Sequence, residues 1–189
     1  MGDSCILRDT EITTNAKGAN AIFVTNFAAS LFSGETKKGT ITTYGDYSRG
    51  FISTFGGLLC GSDITITTNG EFSSAIEVNE QGHAGYCFGC TLTTNGKNSP
   101  LLRTKGNNEN GWGLALTMQK TTGLAMKSKI ANIEGATSVS ITEESIMKCG
   151  ANPTKDNNNF DQGGIMLYQN GSKLIRYNSF SCEDSTLEI

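Results

Sequence analysis

A short segment of one pattern recurs along this chain at a nearly constant interval. In each copy an aliphatic residue precedes a threonine pair, in the sequences ITTN, ITTY, ITTN and LTTN. We call these aliphatic residues the anchors; they are Ile12, Ile41, Ile66 and Leu92, 29, 25 and 26 residues apart. Two weaker copies, LTMQ and ITEE, predict further anchors at Leu116 and Ile141. TPR and ankyrin repeats are longer than this interval and helical, so the Thr-rich pattern excludes them.

A second apolar position follows each of the first five anchors by ten or eleven residues. These positions are Ile22, Ile52, Ile76, Leu102 and Met126. Several short strands per repeat favour a parallel β-solenoid, because one coil buries its inner face only when other coils stack on it about 4.8 Å away. The predicted fold is therefore all-β, a right-handed parallel β-helix with coils of about 25 residues. We expect residues 1–189 to form one solenoid domain.

The rest of each repeat is predicted to turn the chain and to supply a third side. Asn15, Tyr44, Asn69 and Asn95 end the threonine strands, and Gly45, Gly70 and Gly96 follow, where glycine would allow a positive φ. The third side is expected from the segments between repeats, at 27–39, 56–62, 82–89, 107–113 and 130–138.

Charge and hydropathy narrow the function classes. The net charge of −3 leaves no basic stripe that would neutralise phosphates, so we expect no nucleic-acid partner. No stretch approaches the roughly 20 apolar residues of a transmembrane segment. The first fourteen residues contain no apolar region typical of a signal peptide.

Six cysteines are present, and two of them form a CxxC motif at Cys87 and Cys90. A structural zinc site needs a second ligand pair, and a redox motif needs a strand-to-helix context. The sequence contains a single histidine, His83, and no second CxxC. We therefore predict buried or stacked free thiols, with no metal and no cofactor.

Two surface features are candidates for function. Five residues past the anchors stand Lys17, Asp46, Glu71, Lys97 and Thr121, which would form a mixed-charge ladder. On either side of three inward anchors, threonines are expected to point outward and to stack into two rows. These threonines are Thr40, Thr42, Thr65, Thr67, Thr91 and Thr93, with Glu11 ending the array on one side and Ala115 and Ser140 on the other.

These features leave three functions open. Stacked T-x-T rows resemble the face of ice-binding solenoids. Asp46 and Glu71 are the only neighbouring carboxylates that the repeat predicts, and a polysaccharide lyase or hydrolase would use such a pair. The mixed charges favour a structural ladder instead, so we predict no catalytic residues.

The regular pattern stops after Ile141. Residues 149–164 read as a polar loop that protrudes from the rod, and Asp156, Asn158 and Asp161 do not fit an EF-hand because Leu167 occupies the glutamate position. A strand pattern returns at 164–168 and again near Leu187. We expect a fragment of a longer repeat protein, and candidate end-to-end self-association through unpaired strand edges.

Units such as ITITTNGEFSSAI, GTITTYGDYSRGFIST and CTLTTNGKNSPLL resemble the coils of pertactin-like autotransporter passengers and bacterial adhesin-like repeat proteins. The resemblance covers residues 5–145 and 162–171. It implies a non-catalytic, secreted or cell-surface module that acts as an adhesin or a structural rod. The partners it implies are glycans or host surface proteins, and we expect binding at the 149–164 loop or at the outer turns.

Overall fold

The computed structural model describes residues 4–26, 28–79, 85–106, 114–135, 137–149, 164–168 and 179–189, and all regular structure in these ranges is β-strand. The strands form three sheets, here named A, B and C. Sheet A contains β1 (Ser4–Arg8), β4 (Ala29–Ser33), β7 (Leu58–Ser62), β10 (Gly85–Phe88), β13 (Leu114–Gln119), β16 (Thr137–Thr142) and β19 (Ser179–Cys182). Sheet B contains β2 (Glu11–Thr14), β5 (Gly39–Thr43), β8 (Ile64–Thr68), β11 (Thr91–Thr94), β14 (Thr122–Ala125), β17 (Ile146–Cys149) and β20 (Thr186–Glu188). Sheet C contains β3 (Ile22–Val24), β6 (Phe51–Ser53), β9 (Ile76–Asn79), β12 (Leu102–Lys105), β15 (Ala131–Glu134) and β18 (Ile165–Tyr168).

The chain visits A, B and C in turn, and every strand pairs in parallel with its counterpart one coil away. The four strong anchors lie in one column of sheet B, with Ile12 opposite Ile41, Ile41 opposite Ile66, and Ile66 opposite Leu92. Ile41, Ile66 and Leu92 are fully buried. Burying an aliphatic side chain of this size stabilises the fold by about 1.5–3 kcal/mol. The prediction of an all-β parallel β-helix is confirmed.

The two weaker anchors are assigned wrongly by the sequence pattern. Leu92 lies opposite Gly123, which is 31 residues further along, and Gly123 lies opposite Met147. Leu116 and Ile141 are buried in strands of sheet A instead. Inward residues alternate with outward ones in all three sheets, so an isolated alternating strand does not reveal which sheet it joins. Eight residues connect β12 to β13, against five between β9 and β10, and this difference shifts the interval.

The second apolar column, on sheet C, also needs two corrections. Its members in register are Ile22, Phe51, Ile76, Leu102 and Ala131. Ile52 lies one residue off this column, opposite Phe23 and Glu77, and Met126 lies exposed beyond the end of β14. The predicted third side is present as sheet A, where β4, β7 and β10 fall inside the predicted segments.

The corner between sheets A and B bends at single residues with a left-handed backbone. Asp9, Asp63, Gly89 and Lys120 have φ values from 47° to 63° at this corner. The Asp9 carboxylate accepts hydrogen bonds from the Thr36 hydroxyl and the Glu35 amide of the next coil, both at 2.6 Å. These bonds favour the charged carboxylate and lower the pKa of Asp9 to about 2.

The corner between sheets B and C, which we call the B–C corner, explains its glycines differently from the sequence prediction. Gly45, Gly70 and Gly96 do not have positive φ. A Cβ atom on Gly70 would overlap the carbonyl oxygen of Gly45, and one on Gly96 would overlap the carbonyl oxygen of Gly70. Glycine is needed here because the stacked coils approach each other too closely for any side chain.

Candidate ligand-binding surface

The six predicted threonines lie together on the outer face of sheet B. Thr40, Thr65 and Thr91 form one column, and Thr42, Thr67 and Thr93 form a second. All six are partly exposed and alternate with buried residues. The columns continue to Thr122 and Leu124 rather than to Ala115 and Ser140, which lie in sheet A. The Lys38 ammonium reaches across this face to within 3.4 Å of the Thr91 hydroxyl, so a flexible cation lies over the array.

The mixed-charge ladder is stacked for four of its five predicted members. Lys17, Asp46, Glu71 and Lys97 occupy equivalent positions of the B–C corner, because the amide that follows each of the first three bonds to the carbonyl of the next member. Thr121 lies at the corner between sheets A and B, where its hydroxyl donates to the Gln119 carbonyl at 2.9 Å. The Asp46 carboxylate accepts a hydrogen bond from the Glu71 amide at 2.8 Å and so stabilises the stacked turn.

Next to this ladder, the B–C corner presents three large exposed rings, Tyr44, Tyr47 and Phe72, here called the corner aromatics. Tyr47 and Phe72 are 41% and 38% exposed, and their rings stack 5.0 Å apart with an interplanar angle of 7°. The Lys17 ammonium lies 5.2 Å from the Tyr47 ring centroid. Stacking contributes about 0.5–1.5 kcal/mol beyond burial, so the pair is well fixed in place.

The backbone at these two rings favours other residue types. Tyr47 and Phe72 have φ values of 59° and 55°. The equivalent positions in the preceding and following coils are Gly18 and Asn98, the residue types that most readily adopt positive φ. A bulky side chain in this conformation is unfavourable by about 1–2 kcal/mol. Two aromatic residues are therefore held exposed, in a strained conformation, on one corner of the rod.

A buried ionic cluster adjoins these rings on the outer face of sheet C. The Glu77 side chain is almost inaccessible, and its Oε2 accepts hydrogen bonds from Arg49 Nε at 2.8 Å and Ser74 Oγ at 3.1 Å. Asn79 Nδ2 donates to its other oxygen at 2.5 Å. Burial raises the pKa of Glu77, but the nearby guanidiniums of Arg103 and Arg49 and these hydrogen bonds outweigh it and hold the pKa below the ordinary value. Glu77 is thus an ionised carboxylate.

Arg49 joins the ionic cluster to the corner aromatics. Its Nη1 donates to the Tyr47 carbonyl at 2.7 Å while its Nε binds Glu77. Arg103, directly opposite Glu77 in the ladder, is less tightly engaged, with Nη1 3.8 Å from Glu77 Oε2. The two arginines and one glutamate leave one positive charge in excess.

Two amide oxygens on the same face lack hydrogen-bond donors. Asn79 Oδ1 and Asn132 Oδ1 are buried atoms with no partner in the described structure. Asn132 lies directly opposite Arg103 in the ladder, on the side away from Glu77. Leaving such an acceptor unbonded is unfavourable by about 1–3 kcal/mol, so these atoms are suited to a ligand or a water that donates hydrogen bonds.

The CxxC cysteines are both buried free thiols. The hydrogen bond between them, with burial, raises the pKa of Cys87 well above its ordinary value, and the same hydrogen bond lowers the pKa of Cys90. Within the described ranges no group of three or more His, Cys, Asp or Glu side chains is placed to hold a metal ion. His83, Trp112 and the calcium candidates at 156–161 lie outside the described residues.

The inner face of the first coil is partly open. A cavity of about 330 Å³ is lined mainly by apolar side chains, among them Leu7, Ile12, Ile22 and Val24. Such a surface fits a further stacked coil. End-to-end association of this chain stays a prediction.

Sequence reasoning identified the threonine rows and most of the charge ladder but missed the corner aromatics and the Glu77 cluster. The available signal was the replacement of asparagine and glycine by aromatic residues at equivalent corner positions. The 149–164 loop, where binding was also expected, lies outside the described residues except at its two ends.

The described part of the chain contains no helix long and apolar enough to cross a membrane. Comparisons with protein-family models, curated proteins and solved structures gave no significant match to this chain. By its own structure, the chain is a parallel β-helix repeat protein.

Proposed function

We propose that this chain is a non-catalytic β-helix module of an extracellular or cell-surface protein, and that it binds glycans through the corner aromatics. The observation that carries this proposal is the placement of Tyr47 and Phe72 at backbone positions that favour glycine or asparagine. Unfavourable backbone conformations that persist in a stable fold are concentrated at functional sites. Exposed rings supply the apolar contact for the C–H faces of sugars, and the neighbouring charged and amide groups supply hydrogen bonds to hydroxyls.

The rest of the fold suits an adhesive or structural rod. Long ladders of parallel strands fix the positions of outward side chains, while corner residues vary without disturbing the stacked core. The resemblance to pertactin-like autotransporter passengers and adhesin-like repeats points in the same direction. The arrangement is consistent with a rigid support that displays a recognition surface at one corner.

The positions of the carboxylates favour binding over hydrolysis. Glycoside hydrolysis uses two carboxyl groups that face the substrate, one as an acid and the other as a base or nucleophile. Asp46 binds a backbone amide of the next coil, and Glu77 is buried against Arg49 and Ser74. Both carboxylates therefore have structural partners.

The test is a glycan array probed with the wild-type chain and with a double variant, Tyr47→Gly with Phe72→Asn. These replacements introduce the residue types found in the adjoining coils, so we expect the fold to be kept and its stability to be equal or slightly higher. Binding to the glycans that the wild type recognises is expected to fall at least tenfold. Phe55→Asn is the matched control, because Phe55 is also exposed and has a φ of 45°, but lies at the corner between sheets C and A.

Glycan binding that survives in the double variant would refute the role of the corner aromatics. Wild-type protein that binds no glycan on the array, but binds a protein receptor, would refute the proposed ligand class.

A further inference from the structure

We propose that the outer face of sheet C, beside the corner aromatics, selects acidic sugars, and that Arg103 binds the sugar carboxylate. This inference rests on the proposed glycan binding and names the class of glycan. The site, here called the Arg103 site, consists of Arg103 with the unpaired amide oxygens of Asn79 and Asn132.

The charge balance of the face favours an anion. The Glu77 carboxylate already binds Arg49, Ser74 and Asn79 at hydrogen-bond distance. Arg103 contributes to the electrostatic field at Glu77, but its nearest contact with that carboxylate, 3.8 Å, is longer than a hydrogen bond. The guanidinium is therefore the charge in excess, and an anionic group on a ligand would balance it.

Arg103 has the exposure and the chemistry for this role. Its side chain is 34% exposed, so it is held against the sheet while one side remains accessible. A guanidinium presents parallel N–H donors that match the two oxygens of a carboxylate, and such bidentate pairs are among the stronger hydrogen bonds in proteins.

The unpaired oxygens indicate that the same ligand also donates hydrogen bonds. Asn132 is the ladder neighbour of Arg103 on one side, and Asn79 lies two residues beyond Glu77 on the other strand that flanks β12. Their buried Oδ1 atoms accept bonds and have no donor within the described structure. A molecule that combines a carboxylate with several hydroxyl groups fits both requirements, and uronic acids are sugars of this kind.

The site is continuous with the corner aromatics. Arg49 connects them, with one nitrogen bonded to the Tyr47 carbonyl and another to Glu77. A chain of sugar residues would thus contact the rings with one unit and the Arg103 site with a neighbouring unit.

The experiment measures binding of oligogalacturonate and of its methyl ester by calorimetry. The two probes share sugar and length, and differ in the charge of the carboxyl group. We expect the wild type to bind the acid at least tenfold more tightly than the ester. Arg103→Gln should remove this preference and leave the affinity for the ester unchanged. Arg8→Gln is the control for loss of one positive charge, because Arg8 forms an exposed ion pair with Glu35, far along the chain from this face.

A second variant separates a ligand site from a structural one. Asn132→Leu removes a buried acceptor without a donor, so we expect an equal or higher melting temperature together with weaker binding of the acid. Lower stability with unchanged binding would overturn the assignment of Asn132.

The outcomes also separate this inference from the proposed function. Equal binding of acid and ester by the wild type would overturn the Arg103 site and leave glycan binding intact. If the wild type binds neither probe but binds neutral glycans on the array, the acidic specificity is refuted and the proposed function stands. If it binds no glycan at all, both are refuted.

Discussion

Replacing Gly70 by alanine tests the closest contact between coils. A Cβ atom at this position would overlap the carbonyl group of Gly45 and lie 2.6 Å from the Asp46 nitrogen. Both neighbours are backbone atoms of the preceding coil, so no flexible side chain can move aside. The coils would have to separate locally, and the Asn69 amide bond to the Thr43 carbonyl, 2.8 Å long, lies next to the disturbed position.

The expected magnitude comes from comparing two glycines of the same corner. Overpacking a rigid site destabilises proteins by about 1–3 kcal/mol, and backbone neighbours place Gly70→Ala at about 3 kcal/mol. At Gly18 the φ is 73°, but nothing lies within 4 Å of the position that a Cβ atom would take. Gly18→Ala has only a left-handed conformation to oppose it, about 1–2 kcal/mol, partly offset by about 0.4–1 kcal/mol of reduced unfolded-state entropy.

Thermal unfolding followed by circular dichroism provides the assay. For a chain of this length, 1 kcal/mol shifts the melting temperature by about 2–4 °C. We expect Gly70→Ala to melt about 6–12 °C below the wild type and Gly18→Ala within about 4 °C of it. If the two variants melt at the same temperature, or if Gly18→Ala is the less stable, the close approach of coils is not the reason for glycine at position 70.

Three further predictions address the core, a corner and the threonine face. Ile66→Asp buries an unpaired carboxylate between Ile41 and Leu92, so we expect a loss of about 3 kcal/mol or more, and a melting temperature unchanged within about 2 °C would contradict the stacking of anchors. The pKa of Asp9 is lowered to about 2, so its stabilising effect is complete above about pH 4 and is lost as the pH falls through 2; the stability difference between wild type and Asp9→Asn, from denaturant unfolding, should be largest near pH 6 and narrow toward pH 2, and a constant difference would refute this. Thr67→Val should change stability by less than about 0.5 kcal/mol, and we expect no thermal hysteresis from the wild type in freezing-point measurements; hysteresis abolished by Thr67→Lys would instead support ice binding.

The sequence predicted the fold well where repeats were evenly spaced. The first four anchors, the outward threonines and the presence of a third side could be read directly, because inward and outward residues alternate in every strand. The prediction became wrong after Leu92, where a longer connection precedes β13. Leu116 has the size and spacing of an anchor, and only its pairing with Gly85 and Val139 assigns it to sheet A.

The candidate site was much less predictable. Glu77 stands between two inward residues, Ile76 and Val78, and in sequence it reads as one more solvated outward position. Its burial results from Arg49 and Ser74, which come from the corner segments of two adjacent coils. Such contacts depend on how coils stack, and local pattern does not specify that.

The sequence by itself determined that the chain forms a stack of coils, since a β-branched, alternating repeat can bury its apolar residues only by pairing with copies of itself. Tertiary structure alone decided the register of the later coils and the reason for the corner glycines. It also decided which outward side chains meet at the B–C corner. These features depend on separations of a few ångströms between segments about 25 residues or more apart, and such separations exist only after the coils have stacked.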